Sequence, residues 1–466
     1  MKSLIALGAL AAALAAAPLA AETNRDVPGV TTPPMTAQDL VTLPRLGAPA
    51  VNAGGTLAVY GVTTTDPESL ARSTTYYLLD LTTPGATPVA LDFGIKASSP
   101  TFGADGALYV LSSQHPQGEG VEPRGRVWRI TLGKDGKTGT PQLVAGFPET
   151  DIAGFKLAPN GKAIAVWAEV PRECAKPGCA SQPPSYLPGP GTGRLYDGAG
   201  GFYRHWDRWA TPGKPNRVFI FPLADGQMQG EGVPVDGINP ATGITADTPT
   251  MPFGGAEDIA FSPDGKQVYF VARLADGAEP GSTNLDIYRS DLTGGAPTLL
   301  TANNAATDTT PAPSPDGRYL AWLAMDRPTY EADRLSIRLM DLASGTVRNL
   351  TADTDLSFGS LTWSADGKSL LATAQSVLDT PAFRIDPATG KVERLDLMAG
   401  NEAHIANLVA LPGGRLLFTR DSLGNPSELF LSDAGGQARP LTVVEVDVDV
   451  IHAEPMISLS GSFHCA

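Results

Sequence analysis

The sequence predicts an all-β protein, a seven-bladed β-propeller with one Pro/Gly-rich insertion in the third blade. A turn followed by a β-branched and aromatic strand recurs along the chain, the copies are about 50 residues apart, and they show no helical period. The composition, with 42% hydrophobic residues, 51 Gly and 41 Pro, fits a turn-rich chain that can still build a core.

The clearest copy of the repeat runs from Phe261 to Leu300. Its opening Ser262–Gly265 segment (Ser-Pro-Asp-Gly) predicts a turn, because Pro fixes φ, Asp can bond its own backbone and Gly can adopt a positive φ. The stretch from Gln267 to Ala272 predicts a strand, and two more strands follow after loops. One such unit cannot bury its own faces, so it must stack against neighbouring units.

Seven glycines mark the recurring turn: Gly55, Gly106, Gly161, Gly265, Gly317, Gly367 and Gly414. Their spacing is about 50 residues except between Gly161 and Gly265, where it is about double. That interval holds either a missed repeat or an insertion. An insertion over residues 171–215 is favoured, because the strand that begins at Ala163 stops at Pro171 and its partner begins only at Asn216. Seven units without caps favour a closed propeller over an open solenoid.

The chain divides into four predicted segments. Residues 1–21 have the basic start, apolar run and small residues of a cleaved signal peptide, which predicts a periplasmic or secreted protein. Residues 22–46 form a lead-in with one short helix, and residues 47–442 form the propeller. Residues 443–466 are a separate tail. No segment after the signal peptide is predicted to span a membrane.

The charge pattern and motifs exclude several functions. A net charge of −15 and a pI near 4.8 argue against nucleic acid or an anionic membrane as a partner. No serine has the Gly-x-Ser-x-Gly context of a nucleophile elbow, no His-Glu-x-x-His occurs, and the five histidines are scattered. The sequence therefore predicts no catalytic residue, no metal site and no cofactor.

Cys174 and Cys179 flank a Pro-Gly turn inside the insertion. In an exported protein this arrangement favours a local disulfide. A metal site is the weaker alternative, since two further clustered ligands are lacking. Cys465, next to the C-terminus, is assigned no function.

The insertion also carries the most distinctive candidate site. Two aromatic rings, an imidazole and charged groups fall within a few residues: Arg204, His205, Trp206, Asp207 and Trp209. The tryptophans could anchor the insertion on the propeller, or the group could form an aromatic and cationic contact for a peptide or a partner domain. Both interpretations remain open at this point.

Glu257 and Asp258 are a second candidate. They precede the strand that begins near Phe261, so they should lie close to the central channel. Acidic groups there could bind the cationic end of a ligand, although simple solvation of the channel explains them more readily.

These features resemble the propeller of the prolyl oligopeptidase family, most closely its acylaminoacyl-peptidase and dipeptidyl-peptidase branch. The resemblance covers about residues 37–442. Its most specific element is Arg204-His-Trp-Asp-x-Trp209 ahead of the Asn216-Arg-Val-Phe strand. The Pro-Asp-Gly turns alone are less specific, because the periplasmic propeller of the Tol system also carries them.

The resemblance implies a serine peptidase whose propeller restricts entry to a C-terminal α/β-hydrolase domain. After Thr442 the sequence no longer resembles that family, so a truncation or reading-frame change near this residue is our hypothesis. The chain is then expected to gate or orient peptides, or to be a remnant, without cleaving peptides alone. The alternative is a free-standing Tol-type propeller that binds another protein. The expected partners are accordingly peptides, a hydrolase domain or a partner protein.

Overall fold

A computed structural model describes residues 36–115, 123–171, 174–179, 203–211, 213–235, 246–251, 253–274, 279–397, 403–422, 425–434 and 436–442. The predicted signal peptide, the lead-in up to residue 35, residues 180–202 of the insertion and the tail with Cys465 lie outside the described residues.

The described strands form seven antiparallel sheets of four or five strands in chain order, which confirms the seven-bladed propeller. Helix α1 (Ala37–Thr42) precedes them, as expected for the lead-in. Blade 1 contains β1 (Arg45–Leu46), β2 (Ala50–Val51), β3 (Leu57–Thr65), β4 (Arg72–Asp80) and β5 (Val89–Leu91). Blade 2 contains β6 (Ser98–Phe102), β7 (Leu108–Ser112), β8 (Arg126–Ile130) and β9 (Gln142–Ala145).

Blade 3 contains β10 (Gly154–Leu157), β11 (Ala163–Glu169), β14 (Asn216–Ala224), β15 (Gln227–Met228) and β16 (Val233–Pro234), and the separate hairpin of β12 (Arg204–His205) and β13 (Arg208–Trp209) lies between β11 and β14 in the chain. Blade 4 contains β17 (Ala246–Asp247), β18 (Ile259–Phe261), β19 (Gln267–Leu274), β20 (Asp286–Asp291) and β21 (Thr298–Leu299). Short 3₁₀ turns occur at Ala256–Asp258, Glu279–Gly281 and Pro412–Gly414.

Blade 5 contains β22 (Asp308–Pro313), β23 (Tyr319–Ala324), β24 (Ser336–Asp341) and β25 (Val347–Asn349). Blade 6 contains β26 (Thr362–Trp363), β27 (Leu370–Thr373), β28 (Ala382–Ile385) and β29 (Val392–Arg394). Blade 7 contains β30 (His404–Ala410), β31 (Leu416–Ser422), β32 (Asn425–Ser432) and β33 (Ala438–Pro440).

The repeated turn has a physical basis that explains its sequence. In blade 4, the Ser262 hydroxyl donates to the Asp264 carboxylate (2.7 Å) and accepts from the Gln267 amide (3.0 Å). The Gly265 amide donates to the Ser262 carbonyl (2.8 Å), and Gly265 adopts a φ of 66°. All seven turn glycines have positive φ values, a conformation that disfavours residues with a Cβ atom.

Two neighbouring strands of the third blade are separated in sequence by residues 170–215. Strands β11 and β14 pair in full register from Ala163 opposite Pro222 to Glu169 opposite Asn216. The Val170 amide also donates to the Pro215 carbonyl (3.1 Å), so the two ends of this long connection meet. The strand that begins at Asn216 is therefore the direct neighbour of the strand that begins at Ala163.

The core is divided among the blade interfaces. Buried apolar residues form seven clusters, and each cluster draws its members from two adjacent blades. In β19, Val268 and Phe270 pack toward blade 3, whereas Tyr269 and Val271 pack toward blade 5. This alternation follows from the two-residue period of a strand, so each blade is stabilised by both neighbours.

Blades 1 and 7 close the ring without exchanging a strand between their described sheets. Leu46, Ala58 and Tyr60 of blade 1 pack against leucines of blade 7. The Arg415 guanidinium crosses the seam and donates to the carbonyls of Gly55 (2.9 Å) and Leu81 (3.3 Å). Apolar packing and one arginine thus join the two chain ends of the propeller.

We expect Arg415→Ala to lower the free energy of unfolding by about 1–3 kcal/mol, because hydrogen bonds from a charged donor would be lost and two carbonyls at the seam would lose their partner. Urea denaturation measures this change. Arg318→Ala removes an exposed arginine whose contacts, with Asp341 and the Tyr319 ring, lie within its own blade, and it should cost under about 1 kcal/mol. Equal losses in the two variants would show that Arg415 has no special role in closure.

Candidate functional site

The two ends of the propeller differ in chemistry. Because successive strands are antiparallel, the glycine turns lie at one end, here called the turn end. The connections between second and third strands and those between blades lie at the other, the loop end. Ten of the exposed large hydrophobic residues belong to loop-end segments: Leu40, Val41, Leu70, Tyr203, Trp206, Trp209, Phe253, Tyr330, Val377 and Leu378.

The remaining exposed large hydrophobic residues among the described ones are Val89, Leu143, Leu299 and Val347, one on the outermost strand of each of four blades. Val89 and Val347 are the first residues of their strands, next to the turn end, but no exposed large hydrophobic residue lies in a described turn-end connection. That end carries aspartates such as Asp264 and Asp316, whose pKa values are lowered by hydrogen bonds from the neighbouring serines. The loop end is therefore the apolar end of the molecule.

Four exposed aromatic side chains lie on the β12–β13 hairpin and the segment before β18, and we call them the aromatic surface: Tyr203, Trp206, Trp209 and Phe253. The β12–β13 hairpin presents the first three. Trp206 contacts Phe253 of blade 4 edge-on, with ring centroids 5.2 Å apart, and lies 66% exposed. Trp209 lies 53% exposed beside Tyr203, at 6.3 Å. The two tryptophans are therefore largely accessible to solvent.

The charged groups of the hairpin are engaged within it. The Arg204 guanidinium donates to the Trp206 carbonyl (2.6 Å) and lies 5.3 Å from the Trp209 ring centroid. Arg208 lies 3.8 Å from the Asp207 carboxylate. Partial burial lowers the pKa of His205, and the positive charge of Arg273 lowers it further. The imidazole packs edge-on against Trp206 and Phe253, at 6.0 and 6.2 Å.

Phe253 lies in the turn from Thr250 to Asp258, which precedes strand β18 of blade 4 at the loop end. The Asp258 carboxylate closes it by accepting from the Thr250 amide and hydroxyl, each at 3.0 Å, and also faces Thr309 of blade 5 (3.4 Å). Asp258 is 2% exposed, and burial raises its pKa to about 6. Of the two predicted acidic residues, only Glu257 remains exposed.

Lys156 ties this turn to blade 3. Its ammonium group donates to the carbonyls of Ala256 (2.7 Å) and Ile259. Burial lowers the pKa of Lys156 to about 8, while the carboxylates of Glu257 and Asp258 oppose that shift. Lys156 of blade 3 and Asp258 of blade 4 therefore both stabilise the turn that contains Phe253.

The cysteine loop lies at the root of the insertion. Cys174 and Cys179 are joined by a disulfide, with Cα atoms 6.0 Å apart. Arg217, only 1% exposed, donates to the carbonyls of Pro171 and Cys174. The Gly178 amide donates to the Thr150 hydroxyl of the segment after blade 2 (2.9 Å). The loop is thus fixed between blades 2 and 3.

Two further properties concern ions and membranes. Within the described ranges, no group of three or more His, Cys, Asp or Glu side chains is arranged to hold a metal ion. Across the same residues, no helix is long and apolar enough to cross a lipid bilayer.

Sequence reasoning missed three residues that shape this site. Phe253 stands in a Pro/Gly-rich connection, where an isolated aromatic residue could have indicated an exposed contact. Lys156 is the lone charge in the innermost strand β10. Arg217 is the single charge in the mostly apolar β14. A charged side chain within a buried strand signals a specific buried partner, and both arginine and lysine bind backbone carbonyls here.

The chain is similar in sequence to known dipeptidyl peptidases. The chain is 28% identical to dipeptidyl-peptidase 5 of Aspergillus fumigatus over 407 residues, which cover 84% of this chain and 54% of the relative. It is 32% identical to dipeptidyl-peptidase 5 of Porphyromonas gingivalis over 195 residues, covering 41% and 27%. The chain therefore spans about half or less of the length of these relatives. No protein-family model matches it.

Solved structures give the same fold. The acylaminoacyl peptidase of Pyrococcus horikoshii superposes with a TM-score of 0.59 at 14% identity, over 87% of this chain and 54% of that one. The predicted resemblance to peptidase propellers is confirmed. The isolated β-propeller domain of the Trilobed protease from Pyrococcus furiosus matches over 87% of this chain and 99% of that domain, with a TM-score of 0.53 and 11% identity.

Next to the site, blade 5 holds a buried carboxyl group that forms no salt bridge with any of the described residues. Asp308, 1% exposed, accepts hydrogen bonds from the Trp322 indole (2.6 Å) and the Asn304 amide (3.0 Å). Burial raises the pKa of Asp308 to about 7. The hydroxyl of Thr309, the residue after Asp308, donates to the Asp258 carboxylate. Both buried carboxyl groups therefore lie where blades 4 and 5 meet.

Because the pKa of Asp308 rises from 3.8 in the unfolded chain to about 7 on folding, its protonation stabilises the fold at low pH. This contribution is lost as the pH rises from about 4 through 7. In Asp308→Asn, the decrease in unfolding free energy between pH 5 and pH 8 should become smaller, measured by urea denaturation at both values. Asp366→Asn is the control, since the pKa of this turn carboxyl lies below that window. An unchanged slope in Asp308→Asn would contradict the assignment.

Proposed function

We propose that this chain is the propeller part of an exported peptidase of the prolyl oligopeptidase type, and that it gates or orients peptides without cleaving them itself. The similarity to dipeptidyl-peptidase 5 over 407 residues is the observation that carries the proposal. Export is proposed from the signal-like pattern of residues 1–21.

The distribution of apolar surface supports a docking role for the loop end. Ten exposed large hydrophobic residues belong to this end, and contiguous apolar patches on soluble proteins mark contact sites. We propose that a catalytic domain covers this end and that peptides reach it past the loop-end segments. Arg204, His205, Trp206, Asp207, Trp209 and Glu257 are the candidate contacts there. Asp258 supports them from below.

A free-standing binding propeller is the second candidate. It needs only one apolar end for a protein partner and no catalytic domain. The two candidates differ in what the loop end meets: a hydrolase domain in the first, and an unrelated protein in the second.

The purified chain should not hydrolyse a dipeptidyl-aminomethylcoumarin substrate, because no nucleophile elbow occurs in its sequence. Fluorescence release over several hours measures this, with any trace activity tested against a serine-reactive fluorophosphonate. Turnover that co-purifies with the propeller would overturn the non-catalytic assignment, unless the fluorophosphonate abolishes it and labels a contaminating protein instead of this chain.

An apolar loop end should also bind a hydrophobic dye. Val377 and Leu378 form the tip of a blade 6 loop, 87% and 65% exposed. The double variant Val377→Asp/Leu378→Asp should reduce anilinonaphthalene sulfonate fluorescence, because it places charge on that surface. Val89→Asp/Leu143→Asp, on outermost strands, is the matched control. A larger loss in the control would place the main apolar surface at the blade edges instead.

A further inference from the structure

Trp206 occupies a conformation that disfavours its own side chain. The hairpin register pairs Arg204 with Trp209 and His205 with Arg208, so Trp206 and Asp207 form a two-residue turn. Trp206 has a φ of 54°, in the left-handed region where such turns favour Gly, Asn or Asp. A bulky L-residue at this position costs conformational free energy.

The same residue carries a second cost. Its indole is 66% exposed, so most of its apolar area gains nothing from burial in the fold. A residue selected only for stability would be Gly here. Backbone strain retained together with an exposed ring is the combination found where a side chain serves binding rather than folding.

The surroundings determine which chemistry fits the aromatic surface. Arg204 is held by the Trp206 carbonyl and the Trp209 ring, and Asp207 faces Arg208. Two arginines against one aspartate leave the hairpin with a net charge of +1, but the Arg204 guanidinium is held by a backbone carbonyl and an aromatic face, so the exposed surface presents mainly aromatic rings. A neutral apolar group matches those rings, whereas a cationic group would be repelled by the arginines and an anionic group would compete with the contacts that already hold them.

The surface is also held in place from below. The Thr250–Asp258 turn positions Phe253, and Lys156 and Asp258 fix that turn through hydrogen bonds to backbone and hydroxyl groups. A rigid support lowers the ordering cost of binding. Glu257, which is exposed, lies on the same turn.

We propose that Trp206 and Phe253 bind an uncharged apolar or aromatic side chain of an extended peptide at the loop end. This inference rests on the proposed function and specifies which part of the peptide is recognised. The ring edges and faces of Trp206 and Phe253 provide the contact, and Tyr203 and Trp209 border it.

The test compares two blocked peptides, acetyl-Ala-Phe-Ala-amide and acetyl-Ala-Gly-Ala-amide, by isothermal titration with the full chain. The Phe peptide should bind more tightly. In Trp206→Gly its affinity should fall at least about tenfold, toward that of the Gly peptide, because one aromatic contact is removed. The melting temperature of Trp206→Gly should be unchanged or higher, since glycine relieves the left-handed strain.

Asp225→Gly is the matched control. Asp225 has a φ of 50° in a turn of the same blade but at the turn end, so glycine replaces a left-handed residue away from the surface. Because aspartate tolerates this conformation, the melting temperature should change less than in Trp206→Gly. It should leave peptide affinity unchanged. Phe253→Ala, at a ring 63% exposed, provides a second variant with little folding cost and should weaken the Phe peptide in the same way.

Three outcomes would overturn the inference. Trp206→Gly could melt at a lower temperature and bind the Phe peptide normally, which would make Trp206 an anchor of the insertion. The wild-type chain could bind both peptides equally. It could also prefer acetyl-Ala-Asp-Ala-amide or acetyl-Ala-Lys-Ala-amide, which would contradict a neutral site. None of these results bears on the absence of hydrolysis, so the proposed function is tested separately.

Discussion

Each blade of this propeller depends on its neighbours for the burial of both faces. Side chains alternate along the second strand of a blade, as in β19, where successive residues enter the clusters on opposite sides. Apolar burial of this kind is the dominant favourable term in folding. Since it is shared around the ring, the seam between blades 1 and 7 must be as well packed as the others, and Arg415 adds polar contacts there.

The two ends of the closed ring differ in how regular their sequences are. The turn end repeats one hydrogen-bonded turn in blades 4, 5 and 6, with a serine, an aspartate and a glycine in fixed roles. The loop end is not repeated, and its connections differ in length and chemistry. The insertion, the Thr250–Asp258 turn and the exposed hydrophobic residues are all found there. A rigid scaffold with variable loops at one end is a common arrangement for binding sites.

The fold could be predicted from the sequence because its signal is local. Pro, Asp and Gly in a turn, followed by a strand of period two, identify a blade without knowledge of its neighbours. The site was only partly predictable. The hairpin residues from Arg204 to Trp209 attract attention by composition, and Glu257 and Asp258 by position. Glu257 and Asp258 differ because Asp258 is buried against Thr250 and Thr309, and Thr309 belongs to the next blade.

Phe253 and Lys156 could not be assigned in advance for the same reason. Phe253 gains significance only because the hairpin folds over blade 4, and Lys156 only because β10 faces the turn of the next blade. Such contacts cross from one blade to another. Repeat patterns predict that blades are adjacent, but they do not predict which loop side chains meet.

The central claim is that this chain is the propeller part of a peptidase. The most direct measurement is to read the DNA downstream of the Ala466 codon in all three frames. We expect an open frame that encodes Gly-x-Ser-x-Gly, followed by an Asp and a His, within about 300 codons, the scale of one catalytic domain. The absence of such a frame over that distance would argue against a peptidase propeller and favour a free-standing binding propeller.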